Sequence, residues 1–265
     1  MEQVCAVHKV LKRNRMRPYK LHKVQALVRE RRVFCRWLLD QQQRVPSSIE
    51  HIIWTDESTF TRNGLWNRRN THVYSEVNPH AVRQTGHQTR WSVNVWAGLF
   101  KYRILGPVFL PQRLNGQRYL NFINEQLVDI LDDLSLAEYR RTWFQHDGAP
   151  PHVVRFVRER LTELFDDRWI WRTRATRLAT SLTRSDPVRL LSVGYVKERV
   201  FNRECDSADE MRQRIVDVFD KLRTDCVEDH TMMPRLYEET QHRAQICLEM
   251  NGAQFEPHLI RAQRI

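Results

Sequence analysis

Two aspartates sit where metal-assisted chemistry could use them. Asp56 closes the run Ile52-Ile53-Trp54-Thr55, and Asp147 follows Trp143-Phe144-Gln145-His146. Both runs are short and rich in β-branched and aromatic residues, as buried strands are. In open α/β sheets, sites form at such strand ends. Carboxylates brought together from separate elements suit Mg²⁺, a hard ion that prefers oxygen ligands. Two such ions, roughly 3.5–4 Å apart, stabilise the attacking and leaving oxygens of an in-line phosphoryl transfer. An aspartate at a strand end is more often a turn or cap residue, so position alone leaves both roles open. Glu57, beside Asp56, alternates to the other strand face and reads as a surface or capping residue. His146 and His152 flank Asp147 and read as structural hydrogen-bonding groups, with metal binding and proton transfer as the alternatives. Neither G-x-x-x-x-G-K-[ST] nor G-x-G-x-x-G occurs, so nothing supports a nucleotide cofactor.

The elements that must position these residues follow from periodicity. Residues 5–17 form a short basic helix before Pro18, and residues 20–43 a second, with Val24, Leu27, Val28, Phe34, Leu38 and Leu39 apolar. Pro46-Ser47-Ser48 is a turn and a boundary. Strands are expected at Ile52–Thr55, His72–Ser75, Ser92–Leu99, Arg103–Leu110 and Arg141–Gln145. A helix occupies 116–134, and Pro150-Pro151 opens another through Leu164. Ser207-x-x-Glu210 caps a helix to about Leu222, and a last helix spans Arg235–Met250, closed by Asn251-Gly252. Strands followed by alternating helices and strands make an α/β protein, a mixed sheet with helices on its faces. Trp54, Trp91, Trp96 and Trp143 are core candidates.

Charge adds a partner. The 265 residues carry 43 Lys+Arg against 32 Asp+Glu, a net charge of +11. Residues 1–45 alone hold +9, through residues such as Lys9, Lys12, Arg13, Arg15, Arg17 and Lys20, and residues 171–192 hold +4. Charge localised in this way suits a polyanion, most plausibly nucleic acid. No apolar run is long enough to cross a membrane and no signal peptide is read. Five cysteines (Cys5, Cys35, Cys205, Cys226, Cys247) lack any C-x-x-C pair and read as small buried hydrophobes in a reducing compartment.

The chemistry-bearing segments resemble a known family. Trp-Thr-Asp-Glu-Ser-Thr-Phe at 54–60, Asn-Val-Trp-Ala-Gly at 94–98, Phe-Gln-His-Asp-Gly-Ala-Pro-Pro-His at 144–152 and Gly-Tyr-Val-Lys-Glu-Arg-Val at 194–200 are similar to Tc1/mariner superfamily transposases. The resemblance spans about residues 5–255. It implies a ribonuclease H-like catalytic domain over 46–255, a remnant of a helix-turn-helix DNA-binding region and linker over 1–45, and a tail over 256–265. It implies a nuclear, DNA-binding, Mg²⁺- or Mn²⁺-dependent enzyme of DNA cleavage and strand transfer, acting as a homodimer. By motif, Asp56 and Asp147 become the first two metal-binding acids. Only about one helix precedes Pro18, so phosphate contacts are expected without sequence-specific docking in a groove.

The family's third acid ends a stretch like Trp-Pro-Pro-x-Ser-Pro-Asp-Leu-x-Pro-x-Asp, and residues 171–193 contain none. Asp186, the one acid there, is a weak substitute about one helical turn early. Three readings therefore stay open: an active transposase, a catalytically impaired DNA-binding relic, and a host-adapted interaction protein on the same fold. The missing motif favours the second. It also suggests that segment 171–192 is unstructured and open to proteolysis at its arginines. Allowed codons for residues 181–191, read one nucleotide later, encode Arg-Ser-Pro-Asp-Leu-Thr-Pro-Phe-Asp-Phe. Two compensating frameshifts would thus replace the third acid by the Arg189–Leu190 junction. The coding DNA over this window is expected to contain Ser-Pro-Asp-Leu in its +1 frame; its absence there refutes the frameshift.

Overall fold

The computed structural model describes residues 28–62, 91–170 and 195–253, with Arg13 (exposed and helical) and Pro187 besides. Apart from those two residues, the expected helix at 5–17, the strand at 72–75, Lys9, Lys12, Arg15, Arg17, Lys20, Cys5, Asp186 and the rest of the 171–192 segment lie outside the described residues.

The first described helix, α1 (Val28–Arg44), is amphipathic. Phe34, Cys35 and Leu38 recur at helical spacing and are buried, while Arg32, Arg36 and Arg44 are exposed. A turn at Pro46-Ser47 and a single 3-10 turn (Ser48–His51) lead into β1 (Ile52–Thr61). Then come β2 (Ser92–Phe100) and β3 (Arg103–Leu110), joined by a tight turn with Lys101 in left-handed backbone. Tyr237 Oη donates to the Lys101 carbonyl at 2.6 Å, and Lys101 Nζ pairs with Glu138 at the same distance, so this hairpin is tied to both helical layers.

The long helix after β3 runs as α2 (Gly116–Phe122), a π turn (Ile123–Leu127) and α3 (Val128–Asp132). Asn115 caps it, accepting from the Arg118 N–H at 2.9 Å. A short α4 (Leu136–Tyr139) precedes β4 (Trp143–Gln145). Next come a 3-10 turn (Pro150–Val153), α5 (Arg155–Phe165) and β5 (Trp169–Ile170). The chain is described again from α6 (Lys197–Val200) through α7 (Ala208–Glu228) to α8 (Met232–Glu249).

Among the described residues the strands form one mixed sheet in the order β3-β2-β1-β4-β5. The β1–β2 and β2–β3 pairs are antiparallel, whereas β1–β4 and β4–β5 are parallel. On one face, Ile53, Trp96 and Phe144 pack under Tyr119, Phe122 and Leu127 of the α2 helix and Val157, Leu161 and Phe165 of α5. On the other, Ile52 and Trp54 meet α1 and α8, while Phe60, Val93 and Val95 meet α6 and α7. This alternation along β1 is the period-2 pattern of a strand buried on both sides.

Several expectations change in detail. The first strand does not end at Asp56. It continues to Thr61 because β2 pairs with it as far as Thr61↔Ser92. The fifth expected strand shortens to Trp143–Gln145, with Arg141 and Thr142 closing the turn after α4. Trp54 and Trp96 are buried, but Trp91 and Trp143 are only half-buried, Trp143 resting edge-on against Trp37 at 4.9 Å. The last helix starts at Met232, ahead of Pro234, because a proline in a first turn loses no helical hydrogen bond. Its end is as expected: Asn251 and Gly252 take positive φ, and the Gly252 N–H reaches the Cys247 carbonyl at 2.7 Å. Ser207 caps α7 as read, though Glu210 returns its bond to the Asp206 N–H, and the helix runs on to Glu228. Cys35, Cys205 and Cys247 are buried and Cys226 is half-buried.

Phe144 is wholly buried and stacks on Phe165 at 5.2 Å. Phe144→Ala should cost about 3–5 kcal/mol, whereas Leu136→Ala, at a side chain 64% exposed, should stay within about 0.5 kcal/mol. Urea unfolding of the two variants measures the contrast.

Candidate active site

The site begins at the β1–β4 pairing. Ile52, Ile53 and Trp54 lie opposite Trp143, Phe144 and Gln145 in parallel register. Thr55 then locks the ends together: its hydroxyl donates to the Gln145 carbonyl at 2.7 Å, and its N–H donates to Gln145 Oε1 at 3.2 Å. Just beyond this clasp come Asp56-Glu57 on one strand and His146-Asp147 on the other.

After Gln145 the chain leaves strand geometry. Asp147 Oδ1 accepts the Ala149 N–H at 2.9 Å, an Asx turn that swings the chain into the 3-10 turn. That turn delivers His152, wholly buried, back against the same carboxylate, with Nδ1 at 2.7 Å from Asp147 Oδ1. The imidazole packs on the Tyr119 ring at 4.0 Å between centroids, and its Nε2 faces Glu57 Oε1 at 3.5 Å. Glu57, Asp147 and His152 each offer a ligand atom, all within 4.8 Å of one another. His146 lies behind them, 2% exposed, with Nδ1 at 3.3 Å from Tyr119 Oη.

The electrostatics follow from this packing. Burial pushes the Glu57 carboxyl up to about 7, with the charges of Asp147 and Asp56 adding to the effect and His152 opposing it. Burial also works against the Asp147 anion. The hydrogen bonds from His152 and Ala149 outweigh it and hold this carboxyl below its ordinary value. For His152, burial favours the neutral ring, but Asp147 and Glu57 prevail and raise its pKa. Burial and the neighbouring His152 keep His146 well below the usual range, so it is neutral near pH 7.

The sequence reading placed Glu57 away from Asp147; the structure brings them together through His152. Strand alternation is a sound rule within β1, but Asp147 lies past the last paired residue of β4. Its orientation is set by the turn instead. Asp56 sits on the β1 face shared with Trp54 and Phe60, toward α6 and α7. It is outside the Glu57–Asp147–His152 group, although its charge reaches Glu57. The missed signal was the run Asp147-Gly148-Ala149-Pro150-Pro151-His152, in which turn residues return a histidine toward the aspartate five positions earlier. His146 contacts Tyr119 Oη and lies outside the Glu57–Asp147–His152 group.

These residues fit a divalent cation. Asp147 is ionised, its side chain is 37% exposed, and Glu57 Oε1 and His152 Nε2 are buried polar atoms without hydrogen-bond partners. The donor set, carboxylates with one imidazole, suits Mg²⁺ at the oxygens and Mn²⁺ or Zn²⁺ throughout.

The sheet order, the flanking helices and the acids at the β1–β4 junction define a ribonuclease H-like fold. The chain's fold is shared with solved structures of Mos1 transposase. It aligns with "Mos1 transposase paired-end complex with left transposon end" at a TM-score of 0.66 and 20% identity, covering 95% of this chain and 71% of that one. It aligns with "Crystal structure of the catalytic domain of Mos1 mariner transposase" at a TM-score of 0.62 and 18% identity, covering 90% of this chain and all of that one. A third, "Crystal structure of the mariner Mos1 paired end complex with Mg", gives a TM-score of 0.61 at 21% identity, over 95% and 71%. No protein-family model and no curated protein matches the sequence.

The raised Glu57 pKa has a signed consequence. The protonated carboxyl lends stability that is present below its ordinary value of 4.5 and lost as pH rises to about 7. In a metal-free buffer with chelator, Glu57→Gln should match the parent near pH ~4 and exceed it near pH ~8 by up to about 3 kcal/mol. Urea midpoints at the two pH values decide; equal differences at both would contradict the assignment.

Proposed function

We propose that this chain is a Tc1/mariner-type transposase, a DNA-binding protein of the Mg²⁺-dependent cleavage and strand-transfer class whose catalysis is impaired. The observation carrying the reading is Asp147, an ionised carboxylate at the end of β4 beside β1, in a fold shared with the Mos1 catalytic domain. The family motifs at 54–60 and 144–152 fall on β1 and on β4 with its turn, which meet at this point, and residues 197–200 of the third motif form α6. Mos1 paired-end complexes solved with Mg and with Mn support divalent-metal use in the family.

By the motif Asp56 and Asp147 would hold the metal from the β1 and β4 ends; Asp56 projects from the β1 face opposite Glu57, so Asp147 is the ligand that the local geometry supports. When bound, the ion would activate a nucleophile and stabilise charge on a phosphodiester. The remaining residues position. Thr55 and Gln145 fix the strand ends, Ala149 and His152 hold the Asp147 carboxylate as an anion, and Tyr119 supports the His152 ring. DNA would meet the basic residues Lys9, Lys12, Arg13, Arg15, Arg17 and Lys20 and the exposed arginines of α1, through phosphate contacts. A homodimer and a nuclear location belong to the same proposal, and light scattering of the full chain checks the former.

The impaired-catalysis part rests on residues 171–193, which lack the third-acid motif. A cation where a carboxylate is needed would repel the metal. This favours a DNA-binding relic over a working enzyme. Among the described residues no helix is long and apolar enough to cross a membrane.

Duplex binding should weaken with salt, and Arg32→Ala with Arg36→Ala should each flatten the log–log salt slope by about 1. Mg²⁺-dependent nicking of DNA carrying the element's ends should be no greater than that of Asp147→Ala. Salt-insensitive binding would remove the DNA reading, and clear Asp147-dependent nicking would overturn the impairment.

A further inference from the structure

We propose that Glu57 and His152, with Asp147 behind the imidazole, form a binding site for a borderline-soft divalent cation of the Zn²⁺ and Co²⁺ class. This position differs from the one that Asp56 and Asp147 would share, because Glu57 and Asp56 project from opposite faces of β1. It does not rest on the transposase reading.

Two donor atoms stand at the spacing of ligands on one ion. Glu57 Oε1 and His152 Nε2 are both shielded from solvent and neither has a hydrogen-bond partner. Leaving both buried and unsatisfied is costly unless something joins them. They face each other at 3.5 Å, too far for a good hydrogen bond. Ligands bound at roughly 2.0–2.2 Å in a tetrahedron stand about 3.4 Å apart, close to this spacing. The other imidazole nitrogen is already committed: Nδ1 donates to Asp147 Oδ1 at 2.7 Å. Nδ1 keeps its proton for Asp147, and Nε2, which faces Glu57, would give up its own on binding an ion. A carboxylate behind a ligating histidine fixes ring and tautomer and raises its basicity. Tyr119, tilted by 31° against the imidazole at 4.0 Å between centroids, packs on the ring.

The donors also select the ion. Mg²⁺ keeps oxygen ligands and several waters, whereas an imidazole paired with a carboxylate suits Zn²⁺ and Co²⁺. The Glu57 side chain is 20% exposed and that of Asp147 37%, so the site opens toward solvent on its carboxylate side. Further positions on the ion can therefore be filled by water.

The test is Co²⁺ titration of the metal-free full chain, followed by the visible absorption of a low-coordinate Co²⁺ ion. One ion should bind per chain, be displaced by Zn²⁺, and persist in excess Mg²⁺. Glu57→Gln, which keeps the side chain's size, and His152→Gln should each weaken binding at least about tenfold, while Glu163→Gln, at an exposed carboxylate of α5, should hold it within about threefold. Circular dichroism establishes that each variant is folded, and Glu57→Gln decides alone if His152→Gln is not. Absence of a Co²⁺ band, binding lost in Glu163→Gln, or binding unchanged in Glu57→Gln overturns the proposal. Nicking and DNA binding report separately on the transposase reading, which stands or falls without this site.

Discussion

The parallel pairing of β1 with β4 is the constraint on which the site depends. The two strands are about 90 residues apart in sequence and share only three paired positions, Ile52–Trp54 with Trp143–Gln145. Parallel neighbours need a long crossover, and here that crossover contains β2, β3 and the α2–α3 helix. The crossover also buries the odd-numbered face of β1, through Trp96 beside it on β2 and Tyr119 and Phe122 packed over it. A one-residue slip would turn Ile53 and Phe144 out of this layer, so the hydrophobic pattern specifies the register. Thr55 completes it with two hydrogen bonds to Gln145, and the acids follow directly.

Just past that clasp, packing and polarity conflict, and the conflict gives the site its character. Glu57 has a carboxylate in a layer otherwise filled by aromatic and aliphatic groups, and it responds by holding its proton to near neutrality. Asp147 is compensated by a turn N–H and an imidazole, and stays charged. Two carboxylates a few ångströms apart are thereby given different protonation behaviour by their surroundings. Clusters of shifted titratable groups in partly open positions are common at functional sites. The structural role is real as well, since His152 joins β1, β4 and α2 through three different contacts.

Much of the architecture was legible beforehand. The β3 limits, the capping serine at Ser207, the Asn251-Gly252 closure and the α2–α3 helix all follow from local patterns, because caps, turns and apolar periodicity are short-range. The corrections arose where a distant partner intervened. β1 extends past Asp56 only because β2 lies alongside it, and Trp143 stays half-buried because its cover is Trp37 of α1.

The candidate site divides along the same line. The sequence by itself determined which residues could carry chemistry, Asp56 and Asp147, together with the motif resemblance and the localised positive charge. It also determined that residues 171–193 lack a third-acid motif, since that is a matter of residue identity. Only the tertiary structure decided that Glu57 and His152 stand with Asp147 while Asp56 faces the other layer. Strand alternation can be read from a sequence as far as the strand is paired. Beyond the last pair, orientation is set by hydrogen bonds of the turn and by the Tyr119 ring packed against it, and those are formed between residues that only folding brings together.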